Sequence, residues 1–242
     1  MTATQKHIEA LQKFGYTERE AAFLYLVAMH SGYFIARQYD AHTGLTKGDT
    51  RHRLLNQLTK NAHAKPLSTA DSTALFHLSA KPLYQAIGAT DNRNRRPRPS
   101  FQIRAKLMTL DFVLAHPEAR FLTTERERVQ FFTGELRIPL TALPTKHYVS
   151  KKSQQSKTAR YFVDKNPIFL SSGEGAAPVV SFVYVDGGSE TAAGFRTYLE
   201  QYRRLFDALK VFRVLYVGTR QLLFGAARRE FEKVVLCPHG DR

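Results

Sequence analysis

The chain has 242 residues, 43% of them hydrophobic, with a formal net charge of +15 and an isoelectric point near 10.0. This length exceeds that of one small domain, so we expect two modules with separate cores. The basic excess extends over both halves and indicates a polyanionic partner, because Lys and Arg displace condensed counterions from phosphates. The single cysteine, Cys237, excludes an internal disulfide framework and a zinc site built from several cysteines.

The N-terminus lacks the apolar core of a signal peptide, and no apolar run is long enough to span a bilayer. We therefore expect a cytoplasmic protein that does not contact a membrane. The histidines are scattered along the chain, without an HExxH pair or a Cys/His cluster. The sequence accordingly predicts neither a metal site nor a cofactor.

Residues 17–78 have the element pattern of a winged helix-turn-helix. Thr17 and Glu20 form a capping box, which predicts a helix over residues 17–30. Residues 34–43 favour a second short helix, and the glycine that follows supplies the turn before the next element. This spacing is what a helix-turn-helix requires.

The third helix of this module is basic. Thr46 is expected to cap it, and Leu54, Leu55 and Leu58 form its apolar stripe. On a helical wheel Arg53 and Asn56 point away from the stripe, which makes them the preferred base-reading candidates, whereas Arg51 lies nearer the apolar side. The candidate DNA-contacting residues of this segment are Lys47, Arg51, His52, Arg53, Asn56 and Lys60.

A predicted hairpin completes the module. His63–Leu67 and Thr73–Leu78 favour strands on either side of a polar turn, and Lys65 is placed near the tip of this wing. A compact three-helix domain also exposes some basic residues without binding DNA, and winged helices can dock proteins. The charge and the element order together favour DNA binding.

A basic segment, DNRNRRPRPS at residues 91–100, follows the wing. Pro97 and Pro99 are expected to keep it out of regular structure. Such an arm can lie along a DNA backbone or enter a minor groove, and the alternative is a solvated interdomain loop. Its candidate DNA-contacting residues are Arg93, Arg95, Arg96 and Arg98.

Two further helices are expected before the second module. The periodicity of residues 101–115 predicts a connector or dimer helix that Pro117 stops. Thr124 and Glu127 form another capping box and start a short helix. Dimerisation through such added helices would match a twofold protein to a palindromic site.

The remaining residues predict a small α/β sheet covered by helices. The strands at 160–163 and 167–170 are expected to form a hairpin around Asp164, and Cys237 is expected to end an edge strand. The other expected elements are a central strand at 179–185, a helix at 190–209 capped by Ser189, a strand at 211–217, a helix at 220–233 and that edge strand at 234–237.

This element order is also the core order of the restriction-endonuclease-like fold. Those nucleases hold a metal ion with two acidic residues and place a Lys two positions after the second acid. Asp164 and Asp186 are the candidate acids here, but Gly188 stands where the Lys is needed. We therefore predict no catalytic residues, and Asp164 and Asp186 would be the catalytic pair only if the protein were a divergent nuclease.

The stretch FVYVDGGSETAAGFRTYLEQYRRL, residues 182–205, resembles the replication-relaxation family of plasmids and integrative elements, whose segment reads FFLEVDRGTES followed by KLxxYxxL. The family's order of a winged helix and a small sheet domain is similar as well. Tyr184 replaces an acid of the family pattern and Gly187 an Arg. The positions that fit are Asp186, Gly188, Glu190 and Tyr202. The resemblance implies a DNA-binding protein of a mobile element with a degenerate nuclease-like domain.

The sequence as a whole predicts an α+β protein with three parts: a winged helix-turn-helix at 1–90, a basic arm and helical connector at 91–144, and an α/β domain at 145–242. We expect a sequence-specific DNA-binding protein, and not an enzyme, that controls transcription, replication or transfer of a bacterial mobile element. Double-stranded DNA, a second copy of the chain and another protein bound by the C-terminal domain are the expected partners. The alternatives are a divergent metal-dependent DNA nuclease and an RNA-binding component of a ribonucleoprotein.

Overall fold

The computed structural model describes residues 3–44, 49–67, 74–150, 153–164, 166–171 and 178–237. Two compact units make up the chain, Met1–Pro117 (unit 1) and Glu118–Arg242 (unit 2). Both combine helices with small sheets, which confirms the α+β class. No helix within the described ranges is long and apolar enough to cross a bilayer.

Unit 1 consists of helices around a three-stranded antiparallel sheet. Its helices, in chain order, are α1 (Ala3–Gln12), α2 (Glu18–Leu26), α3 (Ala36–Thr43), α4 (Asp49–Lys60), α5 (Lys81–Ala86) and α6 (Ser100–Leu114). Its strands are β1 (Tyr33–Ile35), β2 (Ala64–Leu67) and β3 (Leu75–Leu78), in the sheet order β1-β3-β2. The helices and the hairpin predicted within 17–78 are present, but the cap at Thr46 and the turn at 68–72 lie outside the described residues.

Helix α2 begins at the predicted capping box. The Thr17 hydroxyl accepts a hydrogen bond from the Glu20 amide at 3.3 Å, and a Glu20 carboxylate oxygen accepts one from the Thr17 amide at 2.8 Å. The helix continues into a π-helical turn, Val27–Ser31, and ends at Gly32 with a φ of 81°. A glycine suits this left-handed position because a side chain is strained there.

The second predicted helix begins later than expected. Phe34 and Ile35, which we placed in that helix, belong to β1 and pair with Phe76 and Leu75 of β3. Phe34 is fully buried and stacks on Phe76 at 5.3 Å between ring centroids. Pairing with a distant strand therefore overrides the local helical pattern.

Residues 91–144 do not form the separate connector that we predicted, because the unit boundary falls inside them. Leu110 of α6 is buried in the core of unit 1. The Asp111 carboxylate accepts hydrogen bonds from Arg37 and Gln38 of α3, and the Gln38 amide also donates to the Leu107 carbonyl at 2.9 Å. Helix α6 is therefore part of the first unit's fold.

Unit 2 contains a four-stranded mixed sheet and a separate two-stranded ribbon. Its helices are α7 (Glu125–Gln130), α8 (Ala192–Ala208) and α9 (Leu222–Phe231). Its strands are β4 (Arg120–Phe121), β5 (Thr145–Ser150), β6 (Ser153–Tyr161), β7 (Ile168–Ser171), β8 (Val179–Asp186) and β9 (Phe212–Gly218). The sheet order is β4-β7-β8-β9, with β8 and β9 parallel and the other pairs antiparallel.

The central strand and the two long helices of unit 2 lie where the sequence predicts them, but the strands around Asp164 do not form the expected hairpin. Strand β6 pairs with β5, whereas β7 pairs with β4 and β8. Thr191, instead of Ser189, caps α8 by accepting a hydrogen bond from the Gly194 amide. The predicted edge strand at 234–237 is also wrong, because Glu232–Leu236 continue α9 as a π-helical turn.

Strand β8 lies at the centre of unit 2, and every residue after Val179 in it is buried. Phe182 and Tyr184 pack against aromatic residues of α8. The parallel register pairs Asp186 with Gly218, so the carboxyl ends of β8 and β9 meet at one edge of the sheet. This edge holds the candidate acid Asp186.

Candidate nucleic-acid interface

Helix α4 buries one face and exposes the other. Leu54 and Leu58 are fully buried in the core of unit 1, and Leu55 packs partly against it. The opposite face is exposed and carries Asp49, His52, Arg53, Asn56 and Lys60. Four of the residues predicted to contact DNA therefore share one solvent-facing surface, which we call the α4 face: His52, Arg53, Asn56 and Lys60.

Arg53 is not free, contrary to expectation. Its Nη2 donates to Oε1 of Glu20 at 2.6 Å, and the Glu20 side chain is only 1% exposed. The other Glu20 oxygen serves the capping box of α2. Arg53 therefore neutralises a buried carboxylate that the fold needs, although 57% of its own side chain stays exposed.

Arg51 is also held by an acid. Its Nη1 donates to Oδ2 of Asp40 in α3 at 2.7 Å, and both side chains are about two-thirds buried or more. The helical wheel predicts Arg51 nearer the apolar side of α4. From that position its side chain links α4 to α3. By contrast, no residue in the described part of the chain hydrogen-bonds the side chain of His52, Asn56 or Lys60.

The wing contributes one exposed cation, Lys65, which is the second residue of β2 and lies opposite His77 of β3. We expected Lys65 near the tip, but its register position, one pair from Ala64–Leu78, places it at the end of the described ladder farther from the Leu67–Leu75 pair. His77 is buried, and burial lowers the pKa of its imidazole. Lys47, the remaining candidate of the module, lies outside the described residues.

The basic arm is folded onto unit 1, whereas the prolines predicted an irregular segment. Arg93–Arg95 form a 3₁₀ turn, and the Asn94 side chain is 1% exposed. The Asn94 amide donates to the carbonyls of Ala28 and Met29 at 3.0 and 3.1 Å, and Lys106 donates to its oxygen. A Cβ on Gly32 would lie 2.3 Å from the Asn94 carbonyl oxygen, so the close fit requires glycine.

The four arginines of the arm have different surroundings. The Arg95 guanidinium donates to the Thr90 carbonyl at 2.7 Å. The backbone amide of Arg98 donates to the Tyr33 hydroxyl at 2.8 Å. Arg95 and Arg98 each keep a buried Nε without a hydrogen-bond partner among the described atoms. Arg96 is exposed and Arg93 is half-buried. Sequence reasoning missed Asn94, which fixes the turn, since its only signal was an amide between arginines.

The candidate acids of unit 2 are hydrogen-bonded to other protein groups. One Asp186 oxygen accepts from the amides of Gly188 and Glu190 at 2.7 and 3.0 Å. The other accepts from the Tyr216 hydroxyl at 2.9 Å and from Arg220 at 3.2 Å. Asp186 is fully buried, and these hydrogen bonds occupy the lone pairs of both its carboxylate oxygens.

The electrostatics of Asp186 follow from these partners. Burial on its own would raise the pKa of the carboxyl. The amides of Gly188 and Glu190, the Tyr216 hydroxyl and the Arg220 guanidinium outweigh that effect and lower the pKa. Asp186 is therefore an ionised, internally compensated group that closes the turn after β8.

Asp164 is bound in a similar way. Its carboxylate accepts from the Tyr202 hydroxyl at 2.7 Å and from the Asn166 amide at 3.2 Å. Tyr184, where the family pattern has an acid, donates from its hydroxyl to Glu190 at 3.1 Å. Within the described residues, no group of three or more His, Cys, Asp and Glu side chains is placed to hold a metal ion. Cys237 is exposed.

Comparisons of this chain with family models, with curated proteins and with solved structures gave no match. The interpretation of the two units therefore depends on their own geometry and chemistry.

Proposed function

We propose that the protein binds double-stranded DNA through unit 1, with α2 to α4 and the three-stranded sheet acting as a winged helix. In this proposal α4 enters the major groove and the hairpin lies beside it. The observation that carries the proposal is the α4 face, which presents polar and basic side chains on one exposed side of a helix that follows a second short helix.

The residues of the α4 face have distinct proposed roles. Asn56 is exposed and unpaired within the described structure, and an amide can bind the N6 and N7 edge of adenine in a bidentate manner. His52 lies one turn earlier on the same face and is the second base-reading candidate. Lys60 contacts phosphate, because its ammonium group is a compact charge at the end of a flexible side chain. Arg53 contributes only the part of its guanidinium that Glu20 leaves free.

The basic arm is the second proposed DNA contact of unit 1. Asn94 fixes its turn, so the arginines are presented by ordered backbone, which reduces the entropy lost on binding. Arg96 is the exposed arginine of the arm, and its guanidinium is the donor that we propose for phosphate oxygens.

At the level of biology we propose a regulator of transcription, replication or transfer in a bacterial mobile element, acting as a cytoplasmic homodimer. The resemblance of residues 182–205 to the replication-relaxation family supports this assignment, as do the two-module organisation and the charge. A dimer would match the twofold symmetry of a palindromic operator. Unit 2 is the proposed site for dimerisation or for docking another protein.

The nuclease alternative keeps Asp164 and Asp186 as its candidate acids. A divalent metal needs free carboxylate oxygens, and the bonds from Tyr216, Arg220 and two amides argue against a free Asp186. Cleavage of duplex DNA with magnesium or manganese, abolished in both Asp164→Asn and Asp186→Asn, would establish this alternative. Tighter binding to structured RNA than to any duplex DNA would favour the RNA-binding alternative.

The decisive experiment is selection of bound sites from random duplex DNA by the full chain, followed by affinity measurements on the selected site and on random duplex. We expect a strong preference for the selected site. Asn56→Ala should reduce that preference while largely preserving affinity for random duplex. Gln85→Ala is the matched control, because Gln85 is an exposed amide on α5, outside the α4 face. Equal affinity for all duplexes would refute the proposal.

A further inference from the structure

The mixed sheet of unit 2 has two edges of very different length. Strand β4, at one edge, has 2 residues, whereas β9, at the other edge, has 7. Within the described residues β9 pairs only with β8, in a register that runs without a bulge from Phe212 to Gly218. The strand contains no Lys and no Pro, two residues that commonly protect an edge. The outer backbone N–H and C=O groups of β9 therefore form a template for another strand.

The side chains of β9 are apolar except at one position. Phe212, Val214 and Tyr216 pack partly against the core of unit 2. The residues that alternate with them point to the other face of the sheet, where Arg213 is the one charged side chain of the strand. Leu215, at the middle of β9, is half-buried on that face. An apolar edge of this length promotes aggregation unless a partner strand covers it.

Exposed apolar side chains lie at both ends of β9. Val211, immediately before the strand, is 65% exposed. At the start of α9, which follows the strand, Leu222 is 95% exposed and Phe224 is 44% exposed. The Phe224 ring contacts the Tyr216 ring of β9, with 5.9 Å between the ring centroids. The apolar surface thus continues from the strand into the helix.

We propose that β9 is the dimer interface of this protein. The β9 strands of two copies pair in antiparallel fashion about a twofold axis at Leu215, which joins the sheets of the two copies into one continuous sheet. Such a dimer supplies the twofold symmetry that the proposed function requires, and in that respect the interface rests on the proposed function.

The strand is complementary to itself in this register. Val214 lies opposite Tyr216 of the second copy, and pairs of a β-branched and an aromatic residue stabilise antiparallel sheets. Phe212 lies opposite Gly218 of the second copy, where an aromatic ring can cover the space that a glycine leaves. Each of these pairs occurs twice in a twofold dimer, once on either side of the axis.

The register also keeps like charges apart. Arg213 lies opposite Val217 of the second copy, so the two copies of Arg213 are separated along the strands by about 13 Å, at about 3.3 Å per residue. This distance exceeds the screening length of about 8 Å at physiological salt. Val211 comes opposite Thr219 of the second copy, close in sequence to the exposed Leu222. The pairing therefore brings the exposed apolar ends of the two strands together.

Leu215 provides the sharpest test, because it lies opposite itself at the twofold axis. Sedimentation velocity measures the mass of the full chain at concentrations up to about 100 μM. The wild type should sediment with twice the chain mass of 27.5 kDa. Leu215→Lys should raise the dimer dissociation constant by at least about tenfold, because it places two ammonium groups opposite each other. Leu140→Lys, at an exposed leucine of unit 2 outside β9, is the matched control and should remain dimeric.

A mixing experiment separates a lost interface from a lost fold. Leu215→Glu alone should also be monomeric, whereas an equimolar mixture of Leu215→Lys and Leu215→Glu should restore the dimer, because opposite charges then face each other. A misfolded chain would not be restored by a second variant. Four results would overturn the interface: a monomeric wild type, wild-type particles larger than a dimer, a dimer unaffected by Leu215→Lys, and a mixture that stays monomeric.

The outcome for β9 is distinguishable from the outcome for the α4 face. A wild-type dimer that passes the mixing test but shows no preference for any DNA site would refute the proposed function and retain the interface. Sequence-specific DNA binding by a chain that is monomeric, or whose dimer is unaffected by Leu215→Lys, would retain the DNA-binding function and overturn the interface.

Discussion

At the scale of single residues, the structure separates cations that stabilise the fold from cations that remain available. Arg53 illustrates the first class, since its guanidinium compensates the buried carboxylate of Glu20. Lys60 illustrates the second class, because it lies exposed on α4 without a described partner, and the neutral amide of Asn56 on the same helix face has no described partner either. Loss of DNA binding in an Arg53 variant would therefore mix a folding effect with a contact effect, whereas an Asn56 variant would report on the proposed DNA contact alone.

We predict that Arg53→Ala lowers the free energy of unfolding by about 1–2 kcal/mol, because Glu20 loses its partner while remaining buried. Asn56→Ala should change it by less than about 0.5 kcal/mol. Urea denaturation measures both. The Arg53→Ala effect should shrink in a Glu20→Gln background, and an undiminished effect there would contradict the ion-pair explanation.

Asp186 gives a pH-dependent prediction. Its folded-state pKa is lowered, so its ionised form stabilises the fold above the unfolded pKa, and this contribution is lost as the pH falls through the folded value. Asp186→Asn should therefore lower the free energy of unfolding by about 2–4 kcal/mol at neutral pH. The difference from wild type should decrease below a pH of about 4. Denaturation curves at several pH values test this, and a constant difference would contradict it.

At the scale of elements, the basic arm shows how a segment rich in Pro and Arg becomes ordered. Its turn is held by the Asn94 amide, which donates to two carbonyls within the π-helical turn after α2. Gly32 leaves the space that the Asn94 backbone occupies. The arm is thus part of the unit 1 fold, and its arginines are presented from a fixed position.

We predict that Asn94→Ala lowers the free energy of unfolding by about 2–3 kcal/mol, because the carbonyls of Ala28 and Met29 and the Lys106 ammonium each lose one hydrogen bond. Arg96→Ala is the control and should change it by less than about 0.5 kcal/mol, since Arg96 is exposed. Thermal or urea denaturation compares the two variants. Equal effects of the two substitutions would show that Asn94 does not fix the arm.

At the scale of the whole molecule, the net charge of +15 sets the expected behaviour on DNA. We predict that affinity for random duplex falls by at least about tenfold between about 50 and 200 mM salt, because counterion release drives this binding. The ratio of affinities for a selected site and random duplex should change much less, since base contacts are short-ranged. Titrations at several salt concentrations measure both quantities, and salt-independent affinity would contradict the prediction.

Local sequence signals located most helices correctly. The capping boxes at Thr17 and Thr124 both form in the structure, and the apolar run after Pro178 is the buried central strand β8. Such signals depend on neighbours within one helical turn or one strand, so a single sequence contains them. The exposed side of α4 was also predictable, because Leu54 and Leu58 fix which face is buried.

The errors in strand pairing have a common physical origin in contacts between residues far apart in sequence. Phe34 and Ile35 join β3, and the strand before Asp164 joins β5 instead of β7, because pairing partners are chosen by burial and register across the fold. The sequence by itself determined the α+β class, the basic charge and the outward face of α4. Only the tertiary structure decided that Arg53 serves Glu20, that Asn94 orders the arm and that Asp186 is saturated by Tyr216 and Arg220, because each depends on the distance between groups that the chain brings together only when it folds.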